Sequence, residues 1–455
     1  MSDKMPQGWR TASLAEVLIA LESGSRPRGG VRGIAQGVPS IGGEHLNYNG
    51  GFNFDSIKYV PKEFAAAMTK GRIQRNDILV VKDGATTGKT AFIDDRFPFD
   101  QAFVNEHVFI CRPVKEIEPQ FLFRFLTSKD GQERILENFK GSAQGGINQA
   151  FAPNTEVPLA PLPEQRRIVA KLEKLLGQVD ACLQRLVEIP ALLKRFRQSV
   201  LAAACSGRLT ADWREENVNL TSDVENELPS DWQHSVVGDV IESLKYGTAQ
   251  KCSPEKLGVP VLRIPNIVDG IISHSDLKYA ELPEKEFQQL RLRPGDVLLI
   301  RSNGSVSLVG KCALVRKVES DFAYAGYLIR LRPDTKKVLP EFLNLVLGSY
   351  GVRTQIEIPA RSTSGVNNIN SEEVRALSFS LPLLPEQQEI VRRVESLFAL
   401  GDQIEARLAK ARGQVDKLTP SLLARAFAGK LVPQDPNDEP ASALLERIKM
   451  TRAKT

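Results

Sequence analysis

The side chains of this chain that could do chemistry are concentrated in loops rich in Gly, Asn, Ser, Arg and Lys. In the first half these loops cover residues 24–33, 82–89 and 141–149, and in the second half residues 245–251, 301–307 and 361–370. Arg and Lys can bind phosphates and guanine edges, and Asn or Gln can form two hydrogen bonds with one adenine. Such loops are therefore typical of nucleic-acid recognition, although any single one is more often an ordinary solvent-exposed turn.

The candidate DNA contacts are chosen on that chemistry alone. In the first half they are Arg26, Arg28, Arg32, Asn47, Lys82, Thr86, Thr87, Lys89, Gln144 and Asn148. In the second half they are Lys251, Asn266, Arg301, Asn303, Ser305, Arg361, Asn367 and Asn368. The net charge of +5 neither demands nor excludes a nucleic acid, so local patches would have to supply the phosphate contacts.

A phosphate-binding loop is the most tempting enzymatic interpretation, and its spacing fails. The segment from Gly84 to Lys89 follows an apolar run, but the motif needs four residues between its glycines and this loop has three. In the second half Gly304 and Gly310 are separated by five residues, and Cys312 stands where a hydroxyl would hold magnesium. The sequence therefore argues against nucleotide hydrolysis.

Other catalytic and metal-binding patterns are also missing from the sequence. There is no Pro-Pro dipeptide, which the amine-gripping loop of an amino-methyltransferase would need, and no glycine-rich cofactor fingerprint. The four histidines are isolated, and the five cysteines are scattered without a C-x-x-C pair, which favours reduced thiols in a cytosol. We expect a cytoplasmic, non-catalytic binding protein without its own cofactor or metal, without a signal peptide and without a membrane span.

The chain repeats itself, and the repeat determines how these loops must be positioned. The segment Leu162–Leu209 aligns without a gap to Leu384–Leu431, an offset of 222 residues, and 17 of the 48 positions are identical. Fainter matches precede each copy, including Trp9 with Trp232 and Asp77 with Asp296. A tandem duplication presents two equivalent surfaces, so the chain should engage its ligand twice.

The repeated segments carry apolar residues at alternating spacings of four and three, which is the pattern of a coiled-coil seam. The seam residues are Leu172, Leu175, Val179 and Leu186 in the first copy and Val394, Leu397, Ile404 and Leu408 in the second. One such stripe is more often a plain amphipathic core helix, but two in register favour an antiparallel coiled coil. Pro190 predicts that the first helix breaks or kinks there. The part before it would be roughly 37 Å long, close to one turn of B-DNA, about 34 Å.

The pattern predicts a mixed α/β (α+β) chain with two homologous globular domains, two long helical segments and a pseudo-two-fold internal repeat. Buried strands are expected at 78–81 and 297–300, and helices at 120–126 and 341–347. The expected boundaries are 1–160 and 228–383 for the globular domains, 161–212 and 384–431 for the helical segments, 213–227 for a linker, and 432–455 for a tail with a short helix.

These residues resemble the specificity subunits of type I restriction–modification systems, and the likeness covers nearly the whole chain. The motifs that carry it are Leu-Pro-Glu-Gln at 162–165 and 384–387, each leading into Ile-Val-x-x-(Leu/Val)-Glu, and Ala-Leu-Leu-Glu-Arg-Ile-Lys at 443–449. The Lys-Arg-Phe-Arg run at 194–197 and the tail resemble the enteric subfamily most.

The resemblance implies that each globular domain is a target recognition domain that reads one half of a split, asymmetric double-stranded DNA site. It implies that the helices set the gap and dock two adenine-N6 methyltransferase subunits, with S-adenosylmethionine on those partners, and that two restriction/translocase subunits join the complex. Two alternatives stay open: a coiled-coil scaffold that joins two protein partners without DNA, and a self-contained enzyme of two fused domains.

Overall fold

The computed structural model describes residues 5–141, 145–217, 229–268, 270–358 and 367–452. The chain forms two compact units, one made of residues 1–186 with 410–455 and the other of residues 187–409. Each unit holds one globular copy together with parts of both helical segments. Gln144 and Arg361 lie outside the described residues.

The first globular copy alternates short strands with short helices before the long helix begins. Its strands are β1 (Arg10–Ser13), β2 (Leu18–Ser23), β3 (Val38–Ile41), β4 (Lys58–Val60), β5 (Ile78–Val81), β6 (Thr90–Phe92), β7 (Phe103–Val104), β8 (Val108–Pro113) and β9 (Glu156–Leu159). Its helices are α1 (Lys62–Ala67), α2 (Pro119–Thr127), α3 (Lys129–Leu136) and α4 (Phe151–Asn154), followed by α5 (Leu162–Cys205) and α6 (Ala211–Asn217).

The second globular copy repeats that order with two additional short pairings. Its strands are β10 (Gln233–Val236), β11 (Ile241–Tyr246), β12 (Val259–Leu262), β13 (Ile267–Val268), β14 (Ile271–Ile272), β15 (Lys278–Ala280), β16 (Val297–Ile300), β17 (Ser302–Asn303), β18 (Cys312–Leu314), β19 (Ala323–Tyr324), β20 (Leu328–Pro333), β21 (Asn367–Asn368) and β22 (Ser378–Leu381). Its helices are α7 (Glu284–Leu290), α8 (Pro340–Gly348), α9 (Tyr350–Glu357) and α10 (Ser371–Arg375), followed by α11 (Leu384–Val415), α12 (Leu418–Phe427) and α13 (Ala441–Arg452).

The two copies share one sheet topology, which confirms the duplication of the fold. The first has a four-stranded sheet in the order β2-β8-β5-β6, a three-stranded sheet β4-β3-β7 and the pair β1-β9. The second has β11-β20-β16-β18, β15-β12-β19 and β10-β22 in the same relation. In both three-stranded sheets the last pairing is parallel, β3 with β7 and β12 with β19. The mixed α/β class predicted from the sequence is therefore correct.

The central strands β5 and β16 are buried over their whole length, as their continuous apolar sequences predict. Side chains alternate between the two faces of a strand, so each strand feeds two cores. In β5, Ile78 and Val80 belong to one apolar cluster and Leu79 and Val81 to another. The same division separates Val297 and Leu299 from Leu298 and Ile300 in β16.

Helix α5 runs through Pro190 without interruption, so the predicted break there was wrong. A proline removes one intrahelical hydrogen bond and crowds the carbonyl four residues earlier. Pro190 is exposed, whereas Ile189 is half-buried and Leu193 is buried, so the proline lies on the outer face of the helix. The second helical segment is divided, although no break was predicted there: α11 ends at Val415 and α12 begins at Leu418.

In the second unit the helical segments run antiparallel. Arg197 of α5 forms ion pairs with Asp402 and Glu405 of α11. Further along, Arg393 of α11 pairs with Asp212, the second residue of α6. Residue numbers therefore rise along one segment as they fall along the other, as the antiparallel interpretation of the seam requires.

The seam positions differ in their exposure. Leu172, Val179 and Val394 are buried, whereas Leu175, Leu186, Leu397 and Leu408 are half-buried and Ile404 is exposed. In the first unit, α5 packs through Ile168, Leu172 and Leu176 in one cluster with Leu423 and Ala426 of α12. In this unit the buried face of α5 therefore packs against α12.

Candidate nucleic-acid interface

Each long helix is tied to its globular copy by its Leu-Pro-Glu-Gln motif. The indole N–H of Trp9 donates to Oε2 of Glu164 at 3.0 Å, and the indole N–H of Trp232 donates to Oε2 of Glu386 at 2.8 Å. All four side chains are buried. Loss of either bond would leave a buried donor or acceptor unsatisfied, which would lower the stability of the fold. The motif was visible in the sequence, but its partners Trp9 and Trp232 could be found only from long-range contacts.

The glutamine of the same motif holds the helix start to the backbone of its own copy. Gln165 accepts from Glu118 N at 3.0 Å and donates to Ala160 O at 2.8 Å. Gln387 accepts from Leu339 N and donates to Pro382 O, both at 2.8 Å. The orientation of each globular copy on its helix is therefore fixed in the same way.

A bidentate ion pair braces the central strand of each copy. Arg112 contacts both carboxylate oxygens of Asp77 at 2.7 and 2.8 Å, and Arg332 contacts both of Asp296 at 2.7 Å. Burial raises the pKa of Asp77, and this effect outweighs the bonds from Arg112 and the Gln74 amide that lower it. These pairs stand at the start of β5 and β16 and so position the residues that follow each strand.

Loops of the first copy meet where β5 ends and β8 begins. We call residues 24–33, 42–51, 82–89, 105–107 and 145–149 the first loop cluster. Lys82 N donates to His107 O at 2.9 Å, and Lys82 O accepts from Ile147 N at 2.6 Å. Gly24 N donates to Asn105 O at 3.2 Å. Lys82 is thereby held by its backbone between two loops that are distant in sequence.

The second copy builds the same frame with different side chains. We call residues 246–248, 301–307, 325–327 and 367–371 the second loop cluster. Arg301 N donates to Tyr327 O at 2.9 Å, and Arg301 O accepts from Ile369 N at 2.8 Å. Arg301 therefore occupies the position of Lys82, with Tyr327 in the place of His107 and Ile369 in the place of Ile147.

The charges of the first loop cluster are largely paired with one another. Arg26 forms an ion pair with Glu106 at 2.6 Å. His107 contacts Asp83 through Nδ1 at 2.6 Å and Glu106 through Nε2 at 3.2 Å. The two acidic side chains of this network make the first cluster less basic than its lysines and arginines alone suggest.

Lys89, the lysine of the loop that resembles a phosphate-binding motif, is engaged by the protein itself. Its amine donates to Leu46 O at 3.0 Å and to Gly43 O at 3.4 Å, and it lies 4.7 Å from the centre of the Tyr48 ring. Thr87 donates its hydroxyl to Gly84 O at 2.7 Å, while Thr86 is half-buried. The loop therefore uses its lysine to hold residues 43–48.

The remaining candidate side chains differ in their accessibility. Those that are exposed are Arg28, Arg32, Asn148, Lys251, Ser305 and Asn368, whereas Asn303 and Asn367 are half-buried. Asn47 closes its own turn, because its side-chain Oδ1 accepts from Asn49 N and Gly51 N at 3.0 and 2.9 Å.

The prediction that Asn266 contacts DNA has to be corrected, because this side chain is fully buried. Its amide nitrogen donates to Ser273 O and Ser275 O, and its oxygen accepts from Arg263 N. The side chain thus joins the segment before β13 to the segment after β14 and offers no free N–H to a ligand. Asn266 is therefore not part of the proposed interface.

Across the described ranges no helix is long and apolar enough to cross a membrane. Nor does any group of three or more His, Cys, Asp or Glu side chains in that part of the chain have the placement needed to hold a metal ion.

Comparison with known proteins accounts for the duplication. A family model described as the type I restriction modification DNA specificity domain matches residues 6–191 and again residues 229–411. The chain belongs to the type I restriction–modification specificity subunit family. Members of this family are non-catalytic subunits that recognise DNA.

Relatives of this specificity subunit cover it almost completely. The EcoKI specificity subunit of Escherichia coli K12 is 32% identical over 99% of this chain and 97% of its own length. The StySPI specificity subunit of Salmonella potsdam is 32% identical over 99% and 96%. The HsdS subunit of Thermoanaerobacter tengcongensis shares the fold, with a TM-score of 0.60 at 20% identity over 94% of this chain and 98% of that one. The predicted family and its enteric character are confirmed.

Proposed function

We propose that the two loop clusters of this specificity subunit read the two halves of a split, asymmetric double-stranded DNA target. The observation that supports this most directly is the equivalence of Lys82 and Arg301. Each follows the central strand of its copy and is bound through both its N–H and its C=O to the same two neighbouring loops. A cation held in this way is positioned before any ligand arrives, which lowers the entropy cost of binding.

The two clusters have different side chains around that common position, so the two half-sites must differ. The first cluster combines Lys82 with the Arg26–Glu106–His107–Asp83 network. The second combines Arg301 with tyrosines and asparagines. An asymmetric target follows, because identical bases would not suit two clusters of different charge and hydrogen-bonding capacity.

The helical segments serve, in this proposal, as the spacer and as the docking surface for catalytic partners. Residues 1–160 and 228–383 are the target recognition domains, and residues 161–212 and 384–431 set the unread gap. Because the chain is duplicated, it offers equivalent positions to two adenine-N6 methyltransferase subunits, which carry S-adenosylmethionine. Two restriction/translocase subunits complete the assembly that cleaves unmodified DNA.

Adenine-methylation sequencing of the genome tests this function. Cells that contain this gene and its cognate methyltransferase are compared with cells that lack only this gene. The proposal requires a split motif with a fixed gap whose methylation disappears on deletion. Methylation that is unchanged by the deletion would contradict the proposal and favour a scaffold that joins two proteins without reading DNA.

A further inference from the structure

Arg301 of the second loop cluster is positioned through both its side chain and its backbone. Its guanidinium carbon lies 4.5 Å from the centre of the Tyr246 ring, and its Nε donates a long hydrogen bond of 3.4 Å to Oδ1 of Asn368. Its backbone is held by Tyr327 O and by Ile369 N. An arginine stacked on an aromatic ring loses little further freedom on binding, because its planar fork is already oriented.

The ring under Arg301 is itself fixed. Tyr246 is the last residue of β11, where it pairs with Ile329 of β20, and its hydroxyl accepts from Ser371 N at 2.9 Å. The ring thus bridges the four-stranded sheet and the start of α10. A platform held at both ends can keep the guanidinium in one orientation.

The outer edge of the Arg301 guanidinium carries no bond within the described part of the chain. Neither Nη atom there has a carboxylate or carbonyl partner, in contrast to Arg26, which is paired with Glu106 at 2.6 Å. Two parallel N–H donors on a fixed plane match the O6 and N7 acceptors of guanine in the major groove. They match an isolated phosphate as well, but a phosphate contact would not distinguish one base from another.

We propose that Arg301 reads a guanine in the half-site bound by the second globular copy, with Tyr246 as its positioning residue. This inference rests on the proposed function and adds to it a specific base and a specific side chain. Lys82, at the equivalent position of the first copy, lies 5.6 Å from the Phe109 ring centre and lacks the planar fork, so it supplies a less directional contact.

The test uses the purified complex of this specificity subunit with its methyltransferase subunits and a duplex that contains the methylated motif. Each guanine of the motif is replaced in turn by 7-deazaguanine, which removes the N7 acceptor and keeps Watson–Crick pairing. With the wild-type complex, one guanine should weaken binding on the order of tenfold when it is replaced. With the Arg301→Ala complex, the modified and unmodified duplexes should bind equally well at that position.

Two further variants complete the experiment. Arg291→Ala removes an exposed arginine of the same copy that pairs with Asp321 outside the second loop cluster, and it should keep full discrimination. Tyr246→Ala leaves Arg301 in place without its platform and should reduce discrimination at the same guanine. This variant keeps the inference testable if Arg301→Ala does not assemble.

The inference is overturned if no guanine of the motif responds to 7-deazaguanine with the wild-type complex. It is also overturned if Arg301→Ala and Tyr246→Ala both discriminate as the wild type does. Failure of the proposed function has a different signature, because the wild-type complex would then bind the split motif no better than an unrelated duplex.

Discussion

Glu386 accepts the indole N–H of Trp232 at 2.8 Å, and its counterpart Glu164 accepts that of Trp9 at 3.0 Å, yet the two carboxylates differ in their second oxygen. Oε1 of Glu386 accepts from the Thr210 hydroxyl at 2.7 Å and from the buried Arg214 guanidinium. Oε1 of Glu164 is buried and has no hydrogen-bond partner within the described residues. The glutamate of the second motif therefore balances a buried positive charge, whereas the glutamate of the first motif does not.

Replacing each glutamate by glutamine should change the free energy of unfolding by different amounts in the two motifs. Glu386→Gln leaves Arg214 buried without its countercharge and should lower the free energy of unfolding by about 3–5 kcal/mol. Glu164→Gln removes a charge with no ionic partner at hydrogen-bonding distance and should change it by about 1 kcal/mol or less. Urea unfolding followed by tryptophan fluorescence measures both. Equal losses in the two variants would contradict the asymmetry.

The difference in stability between Glu164→Gln and the wild type should depend on pH. Burial raises the pKa of Glu164 above its usual value, an effect larger than the lowering by Trp9 and Arg167. The folded chain then holds this proton more tightly than the unfolded chain, so wild-type stability falls as the pH rises from the usual value to the raised one. Glu164→Gln lacks this loss. Its stability relative to the wild type should therefore increase through that window and level off above it, and a decrease would contradict the assignment.

The five cysteines should react with thiol reagents at very different rates. Burial raises the pKa of Cys205 to about 11 and that of Cys312 to about 12, and it raises the pKa of Cys111 and Cys252 as well. Only a thiolate reacts readily. Cys182 is exposed, so mass spectrometry after brief maleimide treatment at neutral pH should find one rapidly modified cysteine. Fast modification of Cys111 or Cys312 would show that the cores open.

The C-terminal helix α13 should stabilise the first globular copy specifically. Ala441, Leu444 and Ile448 are buried in the apolar cluster that contains Leu14 and Phe125. Leu444→Asp places a charge there and should destabilise that copy by about 3 kcal/mol or more. Hydrogen exchange should accelerate in β1 and β9 and stay unchanged in β10 and β22. Met450→Asp places the same charge on an exposed position of α13 and is the matched control. Acceleration in both copies would contradict this assignment.

Exposed arginines of the first loop cluster should act through phosphates. Arg28→Ala and Arg32→Ala should each weaken binding of the complex to all DNA sequences alike. Each should also reduce the slope of log affinity against log salt concentration by about 0.9 if one phosphate contact is lost. Titrations at several salt concentrations give that slope. A variant that alters the recognised motif at an unchanged slope would instead mark a base contact.

The sequence predicted those features that depend on local pattern or on the repeat. The run of four apolar residues at 78–81 forms β5 with the predicted bounds, and the run at 297–300 forms β16. It did not predict the uninterrupted α5, because the effect of Pro190 depends on which face of the helix is exposed. Asn266 was misjudged for a related reason, since its type suits DNA but its loop folds around it.

The site was harder to predict than the fold because it is assembled from distant loops. Lys82 and Arg301 were identified by their chemistry, but their equivalence rests on backbone bonds to residues 25 to 68 positions away. The Tyr246 platform could not be inferred, because β11 and the loop after β16 are separated by more than 50 residues in sequence. Such contacts leave no periodic signal in the chain.

Exchange of one globular copy tests the central claim most directly. Residues 1–160 are replaced by the corresponding segment of a family member with a different target, and the methylated motif is read by adenine-methylation sequencing. One half of the motif should change while the other half and the gap stay the same. A change in both halves, or an unaltered motif, would contradict the assignment of one half-site to each copy.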